Sequence, residues 1–208
     1  MAEAQKWYWK YRRMIVVLMG RAGSGKTSVL NYFKSHPDFG FHILLTTTTR
    51  PRRKHEVYGK EYYFVSQNNF QNHKHDYICV EEYDTFDANG KPAKWYYGLR
   101  KKGLDYFAID NQIHMIILTP DGIKELQNYL NEYVFVLYLK ASEETSFSRM
   151  SLRGDNSKEI NRRLKADNAM FDEERLPHPL DIIYADADLN YAIKSTLVYI
   201  LSISGNRL

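Results

Sequence analysis

A single cysteine, Cys79, stands among the 208 residues. No internal disulfide can staple the chain, and no Cys/His spacing around that residue matches a metal-binding pattern. No apolar run approaches the roughly 20 residues that a membrane-crossing helix needs. The apolar run near the N-terminus, Met14 to Met19, stops at a glycine loop and not at a cleavage site, so it does not read as a secretory leader. Internal repeats and low-complexity tracts are missing. The charge excess is only +4, which does not demand nucleic acid, because a site for two phosphorylated small molecules would itself collect Lys and Arg. Together these absences point to a reducing, cytoplasmic setting, with no membrane partner and nucleic acid unlikely.

What is present fits one α/β domain or a core with small insertions. Apolar residues make up 44% of the chain, enough for a sizeable core, and charged residues 26%. Residues 1–13 form an aromatic and basic arm, with Trp7, Tyr8, Trp9, Tyr11, Arg12 and Arg13, and read as an extension ahead of the domain. Met14–Met19 is short, fully apolar and β-branched at its centre, the mark of a buried parallel strand. A glycine loop follows, then a helix over 27–34 ending near His36-Pro37.

Residues 41–105 are richer in Tyr, Thr, Val and Phe, with turn signals at Tyr58-Gly59, Asn68-Asn69 and Asn89-Gly90, and predict a small β-rich region carrying one helix. Further strands are expected at 115–118, 133–139 and 182–184, and helices at 121–131 and 189–203. The stretch 143–170 is polar, arginine-rich and helical in pattern, broken at Gly154. Strands alternating with helices argue for a doubly wound parallel-sheet core.

Gly20-Arg21-Ala22-Gly23-Ser24-Gly25-Lys26-Thr27 matches G-x-x-x-x-G-K-[ST]. Glycines let the backbone curl so that successive N–H groups point at phosphate oxygens. The following helix adds its positive N-terminal end. The candidate triphosphate site is therefore Gly20, Ala22, Gly23, Ser24, Gly25, Lys26, Thr27 and Ser28. Lys26 would reach the β- and γ-phosphates, and the Thr27 hydroxyl would hold the Mg²⁺ that travels with ATP. A second basic cluster, Arg50 to Lys54, lies one helix and one loop further on. The planar fork of Arg binds two phosphate oxygens at once, which suits it to a second phosphate.

From Thr46 to Ser66 the chain resembles the guanylate kinase family, whose pattern runs S-x-T-T-R-x-P-R-x-G-E-x-x-G-x-D-Y-x-F-V. The matches are Thr48, Thr49, Arg50, Arg53, Glu56, Gly59, Tyr62, Phe64 and Val65. Trp95-Tyr96-Tyr97-Gly98 looks like the family's G-N-Y-Y-G, and Arg149-Met-Ser-Leu-Arg153-Gly154 like its R-L-x-x-R-G, followed by Arg163-Leu164. The resemblance covers nearly everything after the N-terminal arm. It implies a P-loop nucleoside monophosphate kinase fold: core at 14–45, 106–148 and 168–208, monophosphate-binding region at 46–105, helical lid at 149–167. By the same resemblance Thr46, Arg50, Arg53, Tyr62 and Tyr97 would serve the monophosphate. Arg149, Arg153 and Arg163 would reach from the lid, and Lys26, Arg50 and those three would carry catalysis.

Guanine recognition in the family uses an acidic residue in the β-rich region. An ungapped count from Phe70 gives Glu81, and the Glu-aromatic context gives Glu82; both stay in play. Two departures stand out. Leu99 follows Tyr-Gly where the family carries Ser or Thr. Ile117 and Thr119 fall where the family's core strand ends in D-x-D, with Asp110 and Asp121 nearby but off register. His55, His73 and His75 read as scattered surface histidines. The expectation is ATP-dependent phosphorylation of GMP or dGMP. The alternatives are the same fold with another acceptor, such as ribose 1,5-bisphosphate, or a guanylate-kinase-like binding module, against which intact Lys26 and Thr27 argue.

Overall fold

The computed structural model describes residues 13–54, 56–86, 91–105, 107, 109, 112–130, 133–172, 176–186 and 188–204. The arm at 1–12, His55, the Asn89-Gly90 turn signal and Asp110 lie outside them. In chain order the elements are β1 (Met14–Met19), α1 (Lys26–Ser35), β2 (Phe41–Ile43), β3 (Thr47–Thr48), β4 (Tyr63–Phe64), α2 (Gln67–Asn72), β5 (Tyr77–Phe86), β6 (Pro92–Arg100), β7 (Ile113–Ile117), α3 (Pro120–Leu130), β8 (Val134–Lys140), α4 (Glu143–Leu152), α5 (Ser157–Met170), β9 (Asp181–Tyr184) and α6 (Leu189–Ile203). They divide into two compact units, Met1–Ile43 with Asn111–Leu208, and Leu44–Asp110.

The first unit is built on a five-stranded sheet, order β2-β7-β1-β8-β9, parallel throughout. Its central strand β1 is buried along its whole length, as a parallel strand covered on both faces must be. α1 lays Val29, Leu30 and Phe33 on this sheet, at helical spacing. α6 adds Ala192, Ile193 and Ile200 to the same core. α6 starts at Asp188, whose side chain accepts the Tyr191 N–H at 2.7 Å, an N-cap that the apolar pattern alone would not place. Arg13 sits over the Tyr133 ring, 4.6 Å from its centroid.

The arginine-rich stretch is two helices. Gly154, at φ +85°, closes α4 with an N–H to the Ser151 carbonyl, and the Asn156 side chain caps α5 through the Lys158 N–H. Met150, Ile160 and Leu164 join the two helices in a small apolar cluster, with Ala22 packed against it.

The second unit holds a four-stranded sheet, order β4-β3-β6-β5. Two expectations shift here. Phe41–Ile43 does not join this unit; it pairs in parallel with β7 in the first sheet. Asn68-Asn69 is not a turn but the middle of α2, because the Ser66 hydroxyl caps the Asn69 N–H and Phe70 supplies a fully buried anchor. Phe70 stacks on Tyr77 (4.4 Å) and Tyr96 (5.6 Å). Gly98 is required opposite it: a Cβ there would meet Phe70 and Tyr77 at 3.1 Å.

Cross-strand register sorts the β-rich sheet into two faces. Thr48, Tyr97 and Glu81 are directly aligned on β3, β6 and β5, with Phe64 beside Thr48 on β4. Aligned residues share a face, so Tyr83 and Trp95, two positions along, belong to it as well. Thr47, Tyr63, Gly98, Tyr96 and Glu82 occupy the other face, the one α2 covers. The assignment depends on a β-bulge. Between Ile78 and Glu81 β5 takes three steps while β6 takes two. Cys79, buried and at φ +53°, is the residue that absorbs the extra step. A one-residue slip moves every side chain to the opposite face. The bulge thus puts Glu81, and not Glu82, beside Tyr97.

Candidate active site

The loop after β1 is shaped by its glycines. A Cβ at Gly20, at φ +152°, would lie 2.5 Å from the Leu139 carbonyl oxygen, and one at Gly23, at φ +78°, 2.6 Å from that of Ser146. Side chains are excluded, so the loop backbone can close tightly ahead of α1. Lys26, the first residue of α1, folds back to donate to the carbonyls of Gly20 (2.6 Å) and Arg21 (2.7 Å) and to the Ser24 hydroxyl (3.4 Å). Burial lowers its pKa to about 8; Asp167 opposes that shift and Arg153 adds to it. Thr27 and Ser28 are exposed at the helix start. A hydroxyl there, beside curled backbone amides, is a hard-oxygen donor suited to Mg²⁺ carried by a triphosphate. Ile117 offers no ligand oxygen, and the Thr119 hydroxyl accepts the Gly122 N–H at the start of α3. Among the described residues no three His, Cys, Asp or Glu side chains cluster as a metal site.

The sequence pattern gave no role to Asp167, on α5. Its carboxylate accepts the Ala22 N–H at 2.6 Å, so an amide expected to face phosphate is held by a carboxylate. Burial raises the pKa of this group, against the pull of the Ala22 N–H, Lys26 and Arg21. Its neighbour Asn168 accepts from Arg21 and donates to Glu143 (3.2 Å).

The three arginines expected from the lid separate in the structure. Arg149 points its guanidinium at the loop, 3.5 Å from the carbonyls of Gly23 and Ser24. Arg153 is paired with Asp155. Arg163 bonds Glu159 (2.8 Å) and lies 3.5 Å from Asp155. Arg162 and Arg163 together hold the Glu159 carboxyl down at about 2. Arg153 and Arg163 therefore rest on the carboxylates of their own helical segment.

In the second unit the Arg50 guanidinium is buried and forked onto Glu56, with Nη1 to Oε2 at 3.0 Å and Nη2 to Oε1 at 2.6 Å. Glu56, also buried, accepts the Arg53 backbone N–H at 2.8 Å. Burial pushes the Glu56 carboxyl up, but Arg50 and Arg53 outweigh it and hold it below its ordinary 4.5. The Arg50 cation lies 5.5 Å from the Tyr62 ring centroid and 5.7 Å from that of Phe64. Tyr62 meets Tyr97 edge-on at 5.9 Å, and Tyr97 meets Tyr83 at 5.4 Å. Glu81 accepts the Tyr83 hydroxyl at 2.6 Å.

Four expected acceptor-site residues, Arg50, Tyr62, Tyr97 and Glu81, thus form one continuous row. Arg53 stands at its edge with an exposed side chain. Thr46 is partly buried, its carbonyl accepting the Tyr63 N–H. Glu82 does not join the row. It is paired with Lys94 on the other face. Leu99 is buried against the core of this unit. Glu56 and Tyr83 belong to the cluster without having been singled out as site residues. Glu56 already matched the family pattern, which was the available signal.

The parallel sheet, with a phosphate loop after its central strand and a helical pair packed on that loop, is a P-loop nucleoside monophosphate kinase fold. A guanylate kinase structure from Anaplasma phagocytophilum superimposes with a TM-score of 0.61, covering 95% of this chain and 89% of that one at 18% identity. Two proteins named guanylate kinase align in sequence. One, from Buchnera aphidicola subsp. Baizongia pistaciae, is 28% identical over 69% of this chain and 67% of its own. The other, from Blochmanniella floridana, is 25% identical over 93% and 87%. The family model described as guanylate kinase matches residues 11–201. The chain belongs to the guanylate kinase family.

Proposed function

We propose that the protein transfers the γ-phosphoryl group of ATP to a nucleoside monophosphate, GMP or dGMP, releasing ADP and the nucleoside diphosphate. The observation that carries this reading is the row Arg50–Tyr62–Tyr97–Glu81 on one sheet face. It offers a buried cation and phenol hydroxyls for a phosphate at one end, and a carboxylate for a base at the other. A carboxylate can accept paired N–H donors, which the guanine edge has in N1–H and its 2-amino group and adenine lacks. In this reading Glu81 is the base reader, and Arg50, Arg53, Tyr62 and Tyr97, with Thr46 close by, serve the phosphate.

The phosphate loop holds the triphosphate through the amides of residues 23 and 25–28, the Ala22 N–H being held by Asp167 and the Ser24 N–H by the Arg21 carbonyl, with Lys26 neutralising charge on the transferring group. Phosphoryl transfer needs in-line positioning and charge neutralisation more than an acid or a base. Mg²⁺, held with ATP by Thr27, would add further neutralisation of the phosphate oxygens. Arg149 already faces the loop. Arg153 and Arg163 would exchange Asp155 and Glu159 for phosphate oxygens as the lid closes and water is excluded. ATP and the monophosphate are the expected partners, in the cytoplasm.

A coupled ADP-release assay across GMP, dGMP, AMP, CMP, UMP and ribose 1,5-bisphosphate tests the acceptor. The reading expects the highest kcat/KM with GMP or dGMP, and it fails if no purine monophosphate turns over. The sugar bisphosphate belongs in the panel because Leu99 has no hydroxyl and the Thr119 hydroxyl is engaged at a helix start.

A further inference from the structure

We infer that Tyr83 is a positioning residue for base recognition, its hydroxyl holding the Glu81 carboxylate in the orientation that reads the acceptor base. The inference rests on the reading of Glu81 given above and adds a residue to it. The Tyr83 hydroxyl donates to Glu81 Oε2 at 2.6 Å, within the range of charge-assisted O–H···O⁻ bonds. A glutamate side chain has rotatable torsions that must be frozen before it can pair with a ligand, at a cost in entropy. A bond that freezes them beforehand removes that cost from binding.

Tyr83 can do this because its own ring is braced. It stands edge-on to Tyr97 at 5.4 Å and 84°, and Tyr97 is braced in turn by Tyr62, whose own ring lies under the Arg50 cation. The i, i+2 spacing on β5 puts Glu81 and Tyr83 on one face, downstream of the Cys79 bulge that selects it. A phenol bond uses one of the roughly four acceptor sites of a carboxylate, so it fixes the carboxylate plane without exhausting the group. Tyr83 therefore ties the base end of the row to the phosphate end. A ligand that engages Glu81 through paired N–H donors gains from the fixed plane. AMP, which lacks the pair, does not.

Steady-state kinetics of Tyr83→Phe with GMP, AMP and ATP test the inference. The substitution keeps the ring and removes only the hydroxyl. KM for GMP should rise about tenfold, the upper range of the ordering cost of one rotamer-rich side chain. The GMP kcat, the ATP KM and the AMP kinetics should stay within about twofold, so that GMP-over-AMP discrimination falls about tenfold. In a Glu81→Gln background Tyr83→Phe should change nothing further, because the two residues act as one unit. An unchanged GMP KM, effects that simply add, or a matching loss with AMP would overturn it.

Should Tyr83→Phe not accumulate as folded protein, Tyr83→Trp keeps a large ring edge for Tyr97, lacks the phenol, and is read the same way. Wild-type turnover of GMP with no Tyr83 effect sinks this inference alone. A GMP KM indifferent to Glu81→Gln sinks the base-reader assignment and this inference together. Absence of wild-type turnover with every acceptor sinks the functional reading first and the inference with it.

Discussion

Glu56→Gln should cost both stability and acceptor binding. Glu56 is 5% exposed, and its carboxylate accepts three hydrogen bonds, two from the Arg50 fork and one from the Arg53 backbone. Removing one partner of a buried ion pair typically costs about 3–5 kcal/mol, because the other charge is left unpaired. Glutamine keeps one acceptor oxygen, so about 2–3 kcal/mol is expected here. With a urea m-value of about 2 kcal/mol/M, the unfolding midpoint should fall by roughly 1–1.5 M. Arg50→Met/Glu56→Leu, which replaces the pair by apolar groups, should recover much of that stability and none of the activity.

The pH dependence has a definite sign. The folded pKa of Glu56 lies below its ordinary 4.5. Its contribution is therefore fully present above about pH 5 and is lost as pH falls through the folded value. The gap between wild type and Glu56→Gln should thus be constant at neutral pH and close in acid. A loss under about 0.5 kcal/mol, or a gap that ignores pH, would refute the buried-pair argument. In kinetics the same variant should raise the acceptor KM with little change in the ATP KM, since the ion pair lies within the acceptor unit.

Lys26→Ala should weaken MgATP binding about hundredfold in calorimetry, the loss of a charge-assisted phosphate contact; unchanged affinity would contradict the triphosphate assignment. Because burial sets the Lys26 pKa to about 8, the wild-type affinity should fall as pH climbs from 7 to 9, a trend that Lys26→Ala should lack. Asp167→Asn keeps an acceptor for the Ala22 N–H while removing a negative charge beside the loop. The MgATP KM should drop about two- to fivefold, the scale of one partly screened charge, and an increase would show that the carboxylate supports nucleotide binding.

The fold was legible where local pattern and tertiary environment agree. Met14–Met19 reads as a buried parallel strand and is one, and the glycine loop with Lys26 announced the turn into α1. Leu189–Ile203 appears in the structure with the bounds its pattern predicted. Elsewhere the deciding interaction lay outside the pattern. Asn68-Asn69 carries turn chemistry, but a serine cap before it and Phe70 after it make a helix. Glu81 and Glu82 are adjacent and chemically identical; the pleat puts them on opposite faces, and the β5 bulge at the left-handed Cys79 decides that Glu81 is the one beside Tyr97. Asp167 is one charge in a run of charges on a polar helix, and its tie to Ala22 spans 145 positions in sequence. Arg50 was visible as a phosphate-gripping candidate, whereas its fork onto Glu56 became visible only with the loop between them folded.

The central claim is transfer of a phosphoryl group between two bound nucleotides, and label transfer measures it most directly. Incubated with γ-³²P-labelled ATP, Mg²⁺ and GMP, the protein should place the label in the β-phosphate of GDP, stoichiometric with ADP, and Lys26→Ala should abolish the transfer. Label recovered only as inorganic phosphate, or left on ATP whichever monophosphate is supplied, would contradict the account.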